Sequence, residues 1–147
     1  MALKIRKADR DDIKDILAIY AEPDIDSGKV LDINSAETIF NKMKSYPDYT
    51  LYVAAADNQI VGSFALLIMD NLAHMGAPSA IVEDVVVSSK WRSRGIGRQM
   101  IRFAMEKARK AGCYKLALSC SINRGRAHKF YESLGFEKHG YSFLIKL

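Results

Sequence analysis

The chain has 147 residues, of which 49% are hydrophobic and 27% are charged, and its formal net charge is +5. That length fits one domain, and the apolar fraction is enough to build one hydrophobic core. No apolar run approaches the roughly 20 residues that a membrane-spanning helix needs, so the composition predicts no membrane partner.

The N-terminal part of the chain predicts one strand and two helices. Leu3–Lys7 alternates apolar and basic residues, which is the pattern of a half-buried strand. Asp9–Asp12 supplies residues that favour a helix start, and apolar side chains at helical spacing follow over Ile13–Tyr20. After a predicted loop at Pro23–Gly28, a second helix is predicted over Ser35–Lys44.

The middle of the chain predicts a hairpin and a further strand. Tyr49–Ala56 and Gln59–Met69 have the composition of strands, and Asp57–Asn58 between them is typical of a hairpin turn. A loop is predicted over Asn71–Pro78. Ala80–Val87 is dense in valine and is the most strand-like segment of the chain.

The C-terminal part predicts helices that alternate with strands. A long helix is predicted from about Gly95–Ala111, with Gly112 as its cap. A strand is predicted at Lys115–Cys120, a short helix at Arg124–Leu134 and a final strand at Tyr141–Leu147.

The order of these elements predicts the fold class. The hairpin makes the middle of the sheet antiparallel, whereas the strand–helix–strand unit from Ala80 to Cys120 makes its two strands parallel neighbours. We therefore expect an α/β protein, one domain spanning residues 1–147, with a mixed, mostly antiparallel sheet and helices on both faces.

The clearest chemical signal lies between the valine-rich strand and the long helix. A helix N-terminus offers backbone N–H groups and a partial positive charge, and glycine there leaves room for a phosphate. Arginine side chains add full positive charge, so the segment predicts a pyrophosphate site. The residues concerned are Arg92, Ser93, Arg94, Gly95, Ile96, Gly97 and Arg98.

Two common nucleotide-binding motifs do not fit this turn. A P-loop requires Gly-Lys-Ser/Thr, whereas Gly97 is followed by Arg98 and Gln99. A dinucleotide-binding fingerprint requires a third glycine at the position of Met100. Because positive charge is concentrated around the turn, between Lys90 and Lys110, we interpret it as a ligand pocket and predict no nucleic-acid partner.

The turn has the form Arg-x-x-Gly-x-Gly after a valine-rich strand, and it resembles the coenzyme A signature of the GNAT superfamily of N-acetyltransferases. A second segment, His128–Phe136, resembles the Phe-Tyr-Glu-x-x-Gly-Phe sequence that closes the same fold. The resemblance covers nearly the whole chain, although its specific motifs lie between Ala80 and Phe136. It implies the GNAT acyl-CoA N-acyltransferase fold, acetyl-CoA as co-substrate and acetyl transfer to an amine.

The resemblance also implies roles for individual residues. The amides of the glycine turn would bind the CoA pyrophosphate, and the main chain of Val85, Val86 and Val87 would pair with the pantetheine arm. Tyr131 would protonate the departing thiolate as general acid, although its spacing also fits a core position beside Phe130.

One position departs from the family pattern. Many members carry asparagine seven residues before the tyrosine, whereas Arg124 stands there in this chain and Asn123 lies one residue earlier. Asn123 is expected to cap the following helix, and Arg124 to reach a phosphate. Both residues are therefore candidate CoA contacts.

Two adjacent carboxylates lie within the valine-rich strand. Successive side chains of a strand point to opposite faces, so Glu83 and Asp84 are expected to point apart. Charges in so apolar a strand are costly unless they are paired or functional, and burial would raise a carboxylate pKa toward the range useful for deprotonating an amine. Both are catalytic candidates, with Glu83 favoured as general base. The alternative is a structural partner for an arginine or for backbone amides.

Local similarities also bear on the acceptor. Ile81–Val87 and Gly112–Lys115 are similar to segments of the glucosamine-6-phosphate acetyltransferases, and Asn71–His74 and Ala127–Tyr131 to segments of the aminoalkylphosphonate acetyltransferases. Both groups act on small amines that bear an anionic group. The resemblance therefore implies a small anionic amine as acceptor, with peptide N-termini and polyamines left open.

We expect direct attack of the amine on the thioester, with backbone N–H groups stabilising the oxyanion. A covalent route through Cys113 or Cys120 is disfavoured because neither is next to a histidine in sequence. The two cysteines also lack CxxC spacing, which predicts no disulfide and a reducing, cytoplasmic setting. No metal is predicted, since the three histidines are scattered and His74 fits a surface loop.

Other functions remain open at this point. A non-catalytic acyl-CoA-binding module, serving as a sensor or regulator, would keep the glycine turn without needing Tyr131 or a carboxylate. A protein or peptide N-acetyltransferase would take a larger acceptor. The expected partner is a small-molecule amine, and a homodimer is left open because dimers are common in the superfamily.

Overall fold

The computed structural model describes residues 1–23 and 26–147, which divide into two units, Met1–Ala117 and Leu118–Leu147. The loop predicted at Pro23–Gly28 thus lies partly outside the described residues, because positions 24 and 25 fall within it. In the described part of the chain, no helix is long and apolar enough to cross a membrane.

One five-stranded sheet forms the centre of the first unit. Its strands are β1 (Leu3–Lys7), β2 (Tyr49–Ala56), β3 (Gln59–Met69), β4 (Ser79–Val87) and β5 (Lys115–Ala117). They lie side by side in chain order, the first four antiparallel and β5 parallel to β4. The predicted mixed, mostly antiparallel sheet with a parallel β4–β5 pair is confirmed.

Three helices of the first unit cover the two faces of this sheet. They are α1 (Ile13–Tyr20), α2 (Ile33–Lys44) and α3 (Ile96–Lys110). Leu51 of β2 packs against the apolar cluster of α1 and α2, which contains Ile13 and Phe40. The next residue, Tyr52, points the other way and meets Phe103 of α3 edge to face, with ring centroids 5.1 Å apart. The prediction of helices on both faces is therefore confirmed.

Local chemistry explains where several elements begin and end. The β2–β3 turn is made by Asp57 and Asn58, which have φ angles of 48° and 60°, the left-handed pair that a two-residue hairpin needs. The helix α2 begins two residues before the predicted Ser35, because the Asp32 carboxylate caps it by accepting a hydrogen bond from the Ser35 amide at 3.0 Å. The left-handed Gly112, at φ 79°, follows the end of α3.

Gly62 marks a close approach of β3 to its neighbours. A Cβ atom at this position would lie 2.9 Å from the Met100 sulfur of α3 and 2.9 Å from the Val86 carbonyl oxygen of β4. Both distances are shorter than ordinary van der Waals contact, so only glycine lets the strand, its neighbour and the helix pack at this spacing.

The second unit contains α4 (Gly125–Ser133) and, among its residues, no strand. Two predictions are corrected here. The strand predicted over Lys115–Cys120 ends at Ala117, and residues 141–147 form no strand. A strand is stabilised by its ladder, and β5 pairs with β4 over only three positions, whereas residues 141–147 are in no ladder. Apolar alternation alone therefore overstated the strand content.

Candidate functional site

A β-bulge interrupts the pairing of β3 with β4. Ser63 pairs with Val86 and Ala65 pairs with Glu83, so one residue of β3 faces two residues of β4. The first of these two, Asp84, has a left-handed backbone with φ of 53°. The extra residue of a bulge is left out of the regular ladder, and its main-chain polar groups are then free to bind another group.

The bulge overturns the expected alternation of the two carboxylates. Glu83 pairs with Ala65, which lines a pocket on the α1/α2 face of the sheet, and Asp84 lines the same pocket. Burial, followed by the negative charges of Asp84 and Glu83, raises the pKa of Tyr49 on that face. The prediction that the two carboxylates point apart is wrong, because the inserted residue shifts the alternation.

This pocket lies between α1, α2 and strands β2 to β4, and its volume is about 180 Å³. Its polar lining consists of Tyr20, Tyr49 and Asp84, and the other described lining residues are apolar. Burial, opposed by a hydrogen bond with Ser63, raises the pKa of Tyr20 to about 12. The Tyr20 phenol is therefore neutral at physiological pH, and Asp84 is the only carboxylate among the described residues of the lining.

The predicted pyrophosphate turn stands directly before α3. Ser93 and Gly95 have left-handed backbones, with φ angles of 60° and 78°. Gly95 is the N-cap of α3 and has no side chain in front of the first amides, those of Ile96 and Gly97. A Cβ on Gly95 would meet no atom within 4 Å, so open space lies at the helix start. This arrangement fits a phosphate group bound by main-chain amides.

The arginines of the turn are held in specific places. The Arg92 Nε donates a hydrogen bond of 3.1 Å to the Val87 carbonyl, and its guanidinium lies 3.8 Å from the Glu22 carboxylate. The Arg94 guanidinium stacks over the Trp91 ring at 4.9 Å. Arg92 thus ties the end of β4 to the turn, and its predicted contact with a phosphate stays a prediction, as do those of Arg94 and Arg98.

Sequence reasoning missed Glu22, which follows the end of α1. One carboxylate oxygen accepts a hydrogen bond from the Ser88 hydroxyl at 2.9 Å, and the other accepts one from the Ser89 amide at 2.8 Å. These partners begin the segment that leads from β4 into the glycine turn. No local pattern reports this contact, because it joins residues 66 and 67 positions apart.

The main chain of Val85, Val86 and Val87 lies at the end of β4 that β5 does not cover. Within the first unit as described, β5 pairs with Ser79, Ala80 and Ile81 only. The end of β4 is therefore not covered by β5 on the side away from β3, and the Val87 carbonyl there accepts the hydrogen bond from Arg92. An extended ligand with amide groups fits such an edge.

Tyr131 lies on α4 in the second unit, between two aromatic rings. Its ring meets those of Phe130 and Phe136 edge to face, with centroids 5.1 and 5.7 Å apart. Burial, together with the charge of Cys120 and against that of Arg124, raises the pKa of the Tyr131 phenol. The phenol therefore remains protonated at physiological pH, which is the state that a general acid needs.

The start of α4 differs from the prediction. The N-cap is Arg124, not Asn123, and no side chain caps the helix there. The Asn123 backbone amide instead donates a hydrogen bond to the Ser121 hydroxyl at 3.3 Å, since the helix begins only at Gly125. The predicted capping role of Asn123 is wrong, and CoA contacts of Asn123 and Arg124 stay predictions.

The surroundings of the two cysteines and of the loop histidine bear on whether these side chains are reactive. Cys113 and Cys120 are both free thiols. Burial raises the pKa of the Cys113 thiol, which lowers its thiolate fraction and makes it a weaker nucleophile. His74 lies in an exposed turn and stacks on the Tyr114 ring at a centroid distance of 4.1 Å.

The sequence matches the acetyltransferase (GNAT) family over residues 13–136. It is 38% identical over 81 residues to a glucosamine 6-phosphate N-acetyltransferase of Trypanosoma brucei brucei, an alignment that covers 55% of this chain and 53% of that protein. It is 31% identical over 97 residues to an aminoalkylphosphonate N-acetyltransferase of Salmonella typhimurium, covering 66% of this chain and 62% of that protein. The chain spans about half the length of the first curated relatives that it matches.

Among solved structures, a protein described as "Putative acetyltransferase from Agrobacterium tumefaciens" is 34% identical and superposes with a TM-score of 0.91. That alignment covers 98% of this chain and 99% of the other. The predicted family and fold class are confirmed by these likenesses, and so is the similarity to both groups of small-amine acetyltransferases.

Proposed function

The chain belongs to the acetyltransferase (GNAT) family, and from that premise we propose that it transfers an acetyl group from acetyl-CoA to the primary amine of a small acceptor. The observation that carries the proposal is the course of β4. This strand bears Glu83, Asp84 and the bulge, and it leads through Ser88 into the turn at Gly95. Groups suited to an amine and groups suited to a phosphate thus follow one another along one short segment.

The binding of acetyl-CoA is assigned to main-chain groups. The amides at Gly95, Ile96 and Gly97 hold the pyrophosphate at the start of α3, where the helix dipole adds favourable charge. The edge of β4 from Val85 to Val87, which β5 leaves uncovered, pairs with the amides of the pantetheine arm. When bound there, acetyl-CoA supplies the activated thioester that the amine attacks.

Proton removal from the acceptor is assigned to the carboxylates of the bulge. An amine attacks only when it is neutral, so an ammonium must first give up a proton. Asp84 lines the pocket and is the first candidate, and Glu83 lies on the same side of β4 and is the second. Main-chain N–H groups that the bulge leaves out of the strand ladder are proposed to stabilise the oxyanion. This negative charge forms on the carbonyl oxygen of the thioester when the amine attacks.

Proton donation to the leaving thiolate is assigned to Tyr131. Its raised pKa keeps the phenol protonated, and a positioned phenol contributes about 10²–10⁴-fold to rate as a general acid. The role rests on the resemblance of the surrounding segment to the family motif, together with this pKa.

The acceptor is proposed to be a small molecule. The relatives named above act on glucosamine 6-phosphate and on aminoalkylphosphonates, which favours a small amine over a protein N-terminus. An anionic group on that amine is favoured by these names alone.

Release of free thiol from acetyl-CoA, measured with a panel of amines, tests the proposal. We expect amine-dependent release by the wild-type protein and a loss of about 10²-fold in kcat for Asp84→Asn, which keeps a side chain tolerant of a left-handed backbone. A protein that binds CoA in calorimetry but releases no thiol with any amine would instead be a non-catalytic binding module.

A further inference from the structure

We propose that the pocket on the α1/α2 face of the sheet binds the acceptor, and that the acceptor is a primary amine carried on an apolar body about the size of one aromatic ring. The inference rests on the proposed function and narrows its substrate class. It replaces the anionic acceptor that sequence resemblance implies.

The lining of this pocket is apolar nearly throughout. Of the 13 described lining residues, 10 carry aliphatic, methionine or phenylalanine side chains, contributed by both helices, the segment before α2 and the sheet. Two of them, Leu31 and Ile39, are 47% and 46% exposed although they are large and apolar. An apolar ligand in the pocket would cover these side chains, whereas a sugar hydroxyl would find few hydrogen-bonding partners there.

The negative charge of the pocket favours a ligand whose polar group is a cation. Asp84 is the one charged group among the described lining residues, and the hydroxyls of Tyr20 and Tyr49 complete the polar set. Glu83 adds a second negative charge on the same side of β4. These carboxylates attract an ammonium and repel a phosphate or phosphonate, and no described lining side chain offers a cation to offset the repulsion.

The volume of the pocket limits the size of the apolar part of the ligand. Its volume of about 180 Å³ is close to the roughly 150 Å³ in which an apolar cavity lined by leucine, isoleucine and phenylalanine side chains accommodates benzene. A ring can therefore lie among α1 and α2 side chains such as Leu17, Phe40 and Met43 while its aminoalkyl arm extends to Asp84 at the sheet.

Competition between amines of different chemistry tests this assignment on the full chain. The probes are 2-phenylethylamine, glucosamine 6-phosphate and 2-aminoethylphosphonate, each with acetyl-CoA, and thiol release is measured for each. We expect kcat/KM for 2-phenylethylamine to exceed that of either anionic amine by at least about tenfold, the discrimination that a single methylene gives in an apolar pocket.

A pair of variants on α2 locates the binding site. Ile39→Lys places a cation on the pocket wall and should lower kcat/KM for 2-phenylethylamine by about tenfold. Ile33→Lys is the matched control, because Ile33 is 41% exposed on the same helix and does not line the pocket. We expect this control to leave kcat/KM within about twofold, the range of ordinary surface changes.

Calorimetry of 2-phenylethylamine with the CoA-bound protein distinguishes failure of the pocket assignment from failure of the proposed function. Binding without thiol release would contradict the proposed function and support the pocket assignment. Thiol release with the anionic amines in preference to 2-phenylethylamine would overturn the pocket assignment and support the function. Equal effects of Ile39→Lys and Ile33→Lys would also overturn the pocket assignment.

Discussion

Gly95 and Gly112 flank α3 with the same left-handed backbone, at φ angles of 78° and 79°. An added Cβ meets no atom within 4 Å at either position, so alanine at each would cost only backbone strain, about 1 kcal/mol. Gly95 alone lies in the turn assigned to the CoA pyrophosphate. We expect Gly95→Ala to weaken CoA binding about tenfold in calorimetry, because the strained turn would re-aim its amides.

Gly112→Ala is the matched control for this prediction. Gly112→Ala should lower the free energy of unfolding, measured by urea denaturation, by the same strain energy of about 1 kcal/mol. It should leave the Kd for CoA within about twofold of the wild-type value. If both variants weakened CoA binding equally, the effect would come from α3 stability, and the turn would not be the phosphate site.

Glu22 should control the affinity for CoA without contacting it. Glu22→Gln keeps the shape of the side chain but weakens the hydrogen bonds to Ser88 and Ser89 and removes the charge facing Arg92. Loss of charge-assisted hydrogen bonds of this kind costs about 1.5 kcal/mol, so we expect the Kd for CoA to rise by up to about tenfold. The control is Glu37→Gln, which weakens the 2.9 Å pair with Arg10 on another part of the surface and should not change CoA binding.

Tyr131→Phe should lower kcat by about 10²-fold while the Kd for CoA changes little, since the variant removes only the hydroxyl. The raised pKa of Tyr131 places ionisation of the phenol above its ordinary value of 10.0. A general acid is lost as pH rises through its pKa, so wild-type kcat should show no decline from this group below about pH 10. Tyr141→Phe serves as the control, because that tyrosine is 92% exposed. Equal activity of Tyr131→Phe and wild type would remove Tyr131 from the mechanism.

Asp12 should make stability depend on pH. Hydrogen bonds of 2.6 and 2.9 Å from the Arg6 guanidinium are the main cause that lowers the pKa of Asp12 below 3.8, its ordinary value. A lowered folded-state pKa contributes stability above pH 3.8, and that contribution is lost as pH falls through the folded value. We expect Asp12→Asn to cost about 2 kcal/mol near pH 7, less than a fully buried pair because the Arg6 side chain is 34% exposed.

Denaturation of both proteins across the acid range checks this sign. The difference in stability between wild type and Asp12→Asn should shrink below pH 3.8. Asp11→Asn is the control, since Asp11 is exposed beside the same turn. A difference that stays constant down to pH 2 would contradict the role given to the Arg6–Asp12 pair.

Elements with strong local signals could be predicted from the sequence. The bounds of β2 and β3 match the prediction because Asp57 and Asn58 tolerate left-handed backbones and end both strands. The glycine turn was predictable for the same reason, since Gly95 adopts a conformation that other residues resist. In these places, the local preference and the final structure agree.

Features that depend on distant partners could not be predicted in this way. The bulge at Asp84 exists because the register in which β3 pairs with β4 shifts by one residue across it, and no pattern within β4 reports that shift. Residues 141–147 carry the apolar composition of a strand, but a strand also needs a ladder partner. The pocket likewise combines side chains from α1, α2 and three strands, which only the fold brings together.

The close approach of β3 to its neighbours at Gly62 has a consequence for how the candidate site is assembled. The Met100 sulfur and the Val86 carbonyl oxygen, which a Cβ there would crowd at 2.9 Å, belong to the helix that follows the glycine turn and to the strand that carries the bulge. A methyl group at position 62 would push apart the helix whose start is proposed to bind CoA and the strand whose carboxylates are proposed to deprotonate the amine. Under the proposed function, such a variant would still bind each substrate, but the distance between the two binding sites would change and the substrates would no longer be aligned.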